Sequence, residues 1–227
     1  MERTVAINGL DLFVRDTGTG EALLLLHGFT GCGDDWHHVF AEPPAAYRVI
    51  APDLRGHGRS TNPGGWFTFR EVAHDIFALL DELGIDQVKA IGVSAGANTL
   101  LHMATQQPGR VAAMIHVSGT PRFPEPVRDM MRAMPADGVG RFAHQLAADR
   151  DDMNFTAASL SAITARTLVV HGDRDPLYPV ELAVELYRGI PGSSLWVIPH
   201  GGHGPIFGHE APPFVATALA FLTPTNG

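Results

Sequence analysis

The chain has 227 residues, 45% of them hydrophobic, and 16 basic against 24 acidic side chains give a formal charge of −8. That length supplies one large core, and the acidic balance argues against nucleic acid or an anionic membrane surface as partner. The lone Cys32 excludes an intramolecular disulfide, and with a polar N-terminus and no apolar run of membrane-span length the expectation is a soluble, cytoplasmic protein.

Asn8-Gly9, between the alternating stretches Thr4–Ile7 and Leu10–Val14, predicts a hairpin with a type I′ turn. ALLLLHGF (Ala22–Phe29) is too short and too uniformly apolar for an exposed helix and reads as a strand buried on both faces. YRVIAPDL (Tyr47–Leu54) is a second such strand. Thr68-Phe-Arg-Glu71 offers a capping box ahead of Val72, Ile76, Leu79, Leu80 and Leu83 at helical spacing, with Gly84 as the stop. The alternation continues through QVKAIGVS (strand), NTLLHMATQQ (helix), VAAMIHVSG (strand), TLVVHGD (strand), VELAVELYRG (helix), SLWVIPH (strand) and EAPPFVATALAFL (helix). The pattern predicts an α/β fold: a mostly parallel, eight-stranded sheet with helices on both faces, entered through an antiparallel hairpin.

From Pro121 to about Ser161 the alternation stops, and short helical patches such as VRDMMRAM and VGRFAHQLAA replace it. We read residues 1–120 and 162–227 as the core domain and 121–161 as a small cap inserted over the strand ends. Ligands bind at such strand ends.

Gly92-Val93-Ser94-Ala95-Gly96 lies where a strand runs directly into a helix, and it matches G-x-S-x-G. The two glycines let strand and helix backbones approach while the serine hydroxyl projects from a sharp turn. A serine needs a base, and the base an orienting carboxylate, in the chain order Ser, acid, His for this connectivity. One later strand ends in Asp173-Arg-Asp175-Pro176 and the last in His200-Gly-Gly-His203. His200 is still at the strand end, whereas the Gly-Gly pair gives His203 a flexible loop, so His203 is the expected base. Either Asp173 or Asp175 would serve as the acid.

Five motifs in order resemble the α/β-hydrolase superfamily over nearly the whole chain apart from the cap: His27-Gly28-Phe29, Asp53-Leu-Arg-Gly-His-Gly-Arg-Ser60, the GVSAG elbow, GDRDPLYP, and Gly202-His203 with Glu210 and Pro212. The resemblance implies Ser94 as nucleophile, His203 as base and Asp175 as acid, with Phe29 and Ala95 donating backbone N–H groups to an oxyanion. It also implies that His27 fixes the oxyanion loop, and that Asp53, Arg55 and His57 are structural, the first two bonding backbone in their own turn.

The expected activity is hydrolysis of small carboxylic esters through an acyl-enzyme, without a cofactor. A lactonase, C–C bond hydrolase, perhydrolase or menaquinone-synthesis-type lyase, or a non-catalytic binding module, would share these motifs. The histidines lack the companion ligands of a zinc signature, so no metal site is expected. Trp36, Phe123, Met130 and Met134 are candidate pocket residues, and Arg122, Arg128, Arg132 and Arg141 are read as solvated. The short cap predicts a shallow pocket that favours short acyl chains.

Overall fold

The computed structural model describes residues 1–223. Left-handed backbone at both Asn8 (φ 46°) and Gly9 (φ 75°) closes the type I′ hairpin between β1 (Glu2–Ile7) and β2 (Leu10–Gly18). The remaining strands are β3 (Glu21–Leu26), β4 (Tyr47–Pro52), β5 (Val88–Val93), β6 (Val111–Val117), β7 (Arg166–Gly172) and β8 (Ser194–Ile198). They form one sheet in the order β1-β2-β4-β3-β5-β6-β7-β8. β2 is antiparallel to both neighbours and every other pairing is parallel. Strand order reverses at β3, whose chain steps outward to β4 before the sheet continues on its other side with β5. A crevice opens beyond the carboxyl ends of strands at such a reversal.

Side chains alternate between two cores. Leu24 and Leu26 of β3 face one, where α1 (Phe69–Glu82), α2 (Ala95–Gln106) and α6 (Val180–Gly189) pack. Leu23 and Leu25 face the other, shared with α7 (Ala211–Leu222) and a 3-10 turn over Gly33–His38. The α1 cap is half of the expected box. Thr68 accepts from the Glu71 N–H (3.1 Å), but the Glu71 carboxylate takes Arg55 instead (2.8 Å). The next free amides at the start of α1, those of Phe69 and Arg70, donate to the Asp152 carboxylate at 2.7 and 3.0 Å.

Asp152 belongs to the stretch between β6 and β7, which holds α3 (Glu125–Ala133), α4 (Gly140–Ala148) and α5 (Ala157–Ser161). Its fastenings to the rest of the chain are concentrated on the α4 side. Gln145 bonds both the Phe67 N–H and the Gly65 carbonyl (2.8 Å each), and His102 of α2 bonds the Asp152 carbonyl at 2.6 Å. Within the stretch, the buried Arg128 guanidinium of α3 donates to the carbonyls of Leu146, Ala147 and Asp149 at the end of α4, where the helix dipole welcomes a cation. The final residues of the second core segment, 224–227, lie outside the described residues.

Between β5 and α2 the backbones approach as closely as glycine permits. A Cβ on Gly96 would stand 2.1 Å from the Leu26 carbonyl oxygen, and one on Gly92 would stand 2.5 Å from Gly96 backbone atoms. Neither contact is with a flexible side chain, so relief requires moving β3, β5 or α2. Gly96→Ala should therefore cost about 3 kcal/mol or more, lowering the midpoint of thermal unfolding by roughly 6 °C or more for a chain of this size. A variant melting within a degree of wild type would show that the junction yields more easily than this packing implies.

Candidate active site

Ser94 is the corner between β5 and α2, held at φ 52° and ψ −110°. This is a conformation that side chains with a Cβ avoid. Its N–H donates to the Val117 carbonyl at the end of β6 (2.8 Å), and its carbonyl accepts the first α2 bond, from Asn98 (2.9 Å). The hydroxyl is left facing the crevice, 2.8 Å from His203 Nε2. His203 Nδ1 lies 2.8 Å from Asp175 Oδ2. An ionised carboxylate only accepts, so Nδ1 carries the imidazole proton and Nε2 is free to accept the serine's.

Asp175 has no exposed side-chain surface. Burial is the largest single influence on it and raises its pKa. The hydrogen bond and charge of His203, with the N–H groups of Leu177 (2.8 Å) and Tyr178 (3.1 Å) on Oδ1, outweigh that and hold the carboxyl below its ordinary value. Asp173 and His200, the competing candidates, are both exposed and outside this chain of bonds.

The loop that brings His203 over Ser94 is packed rather than flexible, contrary to the expectation from its glycines. A Cβ on Gly172, at the end of β7, would lie 2.3 Å from the Gly201 oxygen and 2.4 Å from that of Gly202. The Arg174 N–H donates to the Gly201 carbonyl (2.9 Å), and the Gly204 N–H donates to the buried Ser118 hydroxyl (3.1 Å). Close approach is thus what requires glycine at Gly172 and Gly201, and it fixes the acid turn and the histidine loop against each other.

On the other side of Ser94, Gly28 and Phe29 follow β3. The Phe29 ring stands edge-on to His57 and Phe67, with centroids 5.3 and 5.9 Å away, so the loop is pinned by its side chain. His27 Nε2 accepts from the Leu54 N–H (2.9 Å), which puts the proton on Nδ1, donated to the Gly28 carbonyl (2.7 Å). Among the described residues neither the Phe29 nor the Ala95 N–H has a protein acceptor, and both residues border the same cavity as Ser94. Asp53 holds the neighbouring turn as expected, accepting from the Gly33 and Arg59 N–H groups (2.8 Å each). Arg55 does not: its fork clamps the Asp75 carboxylate (2.6 and 2.9 Å), reaching from the turn to α1.

The cavity measures about 690 Å³ and is roofed by the α3–α4 stretch. Phe123, Met130 and Met134 line it, with Met130 and Phe207 partly exposed at its mouth. Trp36 does not. It is 4% exposed in the second core, stacked on Phe40, because the turn that carries it packs on the sheet face opposite α1 and α2. None of the four arginines lines the cavity: Arg122 pairs with Glu185, Arg132 with Glu125 and Asp129, Arg128 caps α4, and Arg141 lies over Phe142. Cys32 is half-buried and off the cavity wall. The expected shallow site is instead a pocket of the size that holds drug-like ligands, because Val127, Met131 and Leu146 reach down from the roof. Sequence reasoning missed Asn98 and Tyr178, two polar side chains of the same wall. Asn98 falls one helical turn after the nucleophile, a spacing visible in the sequence.

The sequence profile described as the alpha/beta hydrolase fold matches residues 21–156. The chain belongs to the α/β-hydrolase family. It is 34% identical to epoxide hydrolase 1 of Siraitia grosvenorii over 78% of its own length and 58% of that protein's. Matches to that plant's epoxide hydrolases 1 to 3 span 37% to 60% of their lengths. A thermophilic esterase from Thermogutta terrifontis superposes with a TM-score of 0.77 at 28% identity, covering 97% of this chain and 96% of that one. The enol-lactonase from Burkholderia xenovorans LB400 superposes with a TM-score of 0.83 at 20% identity, over 97% and 100%, a likeness of fold. Among the described residues no helix is long and apolar enough to cross a membrane, and no three His, Cys, Asp or Glu side chains cluster as a metal site would require.

Beneath the site several imidazoles are held neutral. Burial pushes His27 and His102 down to about 4 and His116 down to about 3. Both ring nitrogens of His116 lack a hydrogen-bond partner among the described residues. Between pH 6.5 and its folded value such a histidine takes up its proton only in the unfolded chain, so its contribution is intact above pH 6.5 and lost as pH falls toward 3. His116→Leu should flatten the decline of unfolding free energy between pH 6 and 4 by about 1 kcal/mol per pH unit. Parallel curves for variant and wild type from denaturant titrations would rule this out.

Proposed function

We propose that the protein is a serine hydrolase that cleaves carboxylic esters of small molecules through a covalent acyl-enzyme. The observation that carries this reading is the Ser94–His203–Asp175 chain, with both links at 2.8 Å, beside two unengaged backbone donors. Ser94 Oγ attacks the ester carbonyl as His203 Nε2 takes its proton, and Asp175 stabilises the imidazolium that results. The Phe29 and Ala95 N–H groups receive the developing oxyanion, each worth about 3 kcal/mol in sites of this kind. His203 returns its proton to the departing alcohol, then activates the water that releases the acid. The residues 121–161 serve as the cap that shields these steps from bulk water, and no cofactor is needed for any of them.

The chemistry of the nucleophile separates this reading from the activity named for the plant relatives. Serine opening an epoxide would form an ether, which a histidine-activated water does not hydrolyse, so the enzyme would not turn over. Serine attacking an ester or lactone forms an ester, which the same water cleaves. The esterase named among the solved structures supports the choice.

Hydrolysis of p-nitrophenyl esters, acetate through decanoate, tests the reading. Wild type should turn them over, and Ser94→Ala should lose at least about 10³-fold in kcat. Activity that survives in Ser94→Ala would remove Ser94 as the nucleophile. With a cavity of about 690 Å³, kcat/KM should hold or rise from acetate to octanoate. A steep fall beyond butyrate would mean that the roof excludes the chain.

A further inference from the structure

The wall of the cavity is apolar except at a few points, and two of those points meet. Asn98 lies on α2 one turn below Ser94, about 6 Å along the helix axis, and it is 1% exposed. Its Oδ1 is committed, accepting the Thr120 N–H at 3.0 Å. That bond fixes the orientation of the carboxamide, because only the oxygen can accept, and it turns the NH2 group away from Thr120. On the same cavity wall stands the phenol of Tyr178, whose oxygen the Asn98 NH2 group faces.

Tyr178 is immobilised at every other point. Its N–H donates to Asp175 Oδ1 (3.1 Å) and its carbonyl takes the His171 Nε2–H (2.9 Å). Its ring packs edge-on to His203 (5.5 Å) and stacks with Phe123 (6.4 Å). Burial keeps the phenol protonated well above its ordinary range, so it is a donor at any working pH. Among the described residues the phenol hydrogen has no protein acceptor, and the Asn98 amide, with one hydrogen turned toward the phenol oxygen, keeps a second. Both residues line the cavity that contains Ser94. Phe69, Val127, Met131 and Leu146 make up the surrounding wall.

Donors that face an apolar pocket cost free energy once a ligand displaces the water they can reach, unless the ligand brings an acceptor. Building on the serine-hydrolase reading, we propose that Asn98 and Tyr178 form a subsite for an acceptor oxygen, keto or hydroxyl, carried about four bonds from the scissile carbonyl. The preferred substrates are then oxygenated acyl esters rather than saturated ones. A site built to hydrogen-bond such an oxygen discriminates strongly against an isostere that lacks it, since its donors are then left unpaired.

The matched pair p-nitrophenyl 4-oxopentanoate and p-nitrophenyl 4-methylpentanoate differ by a carbonyl oxygen in place of a methyl. Their binding is measured on Ser94→Ala, where turnover plays no part, and on Ser94→Ala/Tyr178→Phe, which keeps the ring and removes only the hydroxyl. The keto ester should bind at least about tenfold more tightly than its isostere to the first, and the preference should fall to about twofold or less in the second. Asn98→Asp in the same background keeps the acceptor for Thr120, removes the donor, and should abolish the preference as well. Equal binding of the two esters, or a preference that both substitutions leave intact, overturns the subsite. Turnover by the wild-type chain, followed in parallel, reports on the serine-hydrolase reading alone, so the two can fail separately.

Discussion

The left-handed backbone at Ser94 is the constraint on which the rest of the structure depends. A non-glycine residue in such a conformation stores roughly 1–3 kcal/mol, and it persists because its surroundings leave no alternative. Its N–H is bound to β6, its carbonyl starts α2, and the glycines on either side are pressed against backbone from β3 and α2. Relaxing the serine would mean separating three elements of the core. The same contact has a second effect. By pressing Gly96 onto Leu26, the last residue of β3, it brings the outgoing Gly28-Phe29 loop alongside the serine, so that a Cβ added to Gly28 would lie 3.7 Å from Ser94 Cβ. Ser94 and the two backbone donors proposed to serve it are therefore products of one packing arrangement.

His203 and Asp175 are set by a parallel device further along the sheet. β6 also ends in a left-handed serine, Ser118 (φ 48°), and β8 is followed by a left-handed histidine, His200 (φ 61°). Each bends the chain sharply over the strand ends. Ser118 then reaches forward to hold the N–H after His203, while Gly172 and Gly201 seat the acid turn on the histidine loop. Under the proposed mechanism, preorganisation of this kind places the reacting groups before substrate arrives.

Much of this was legible in the sequence, and for identifiable reasons. Parallel strands buried on both faces leave long apolar runs and the antiparallel hairpin leaves alternation around Asn8-Gly9, so all eight strands could be named, though β3 stops at Leu26 because His27 turns aside to bond the Leu54 N–H. Ser94 and His203 were readable because strand-end turns carry the polar residues in a fixed order, while the resemblance to the family was needed to prefer Asp175 over Asp173. What escaped was decided by contacts between residues distant in the chain. Nothing local to Trp36 tells which face of the sheet its turn will cover, and nothing near Phe69 announces that a carboxylate 83 residues later completes the α1 cap. The Gly-Gly pair before His203 suggested looseness where it supplies contact, since glycine serves both ends and sequence does not distinguish them.

The fastening of residues 121–161 is lopsided. On the α4 side Gln145, Asp152 and the His102 contact stitch the stretch to the body through buried hydrogen bonds. On the α3 side the cavity rim consists of Met130 and Met134, adaptable side chains with no such obligations. The anchoring of the stretch and the shape of the cavity rim therefore reside on different helices. Substitutions at Met130 and Met134 would reshape the rim of the cavity without touching the buried hydrogen bonds of the stitched side, whereas Arg128 on the same helix belongs to that stitching through its bonds to the end of α4.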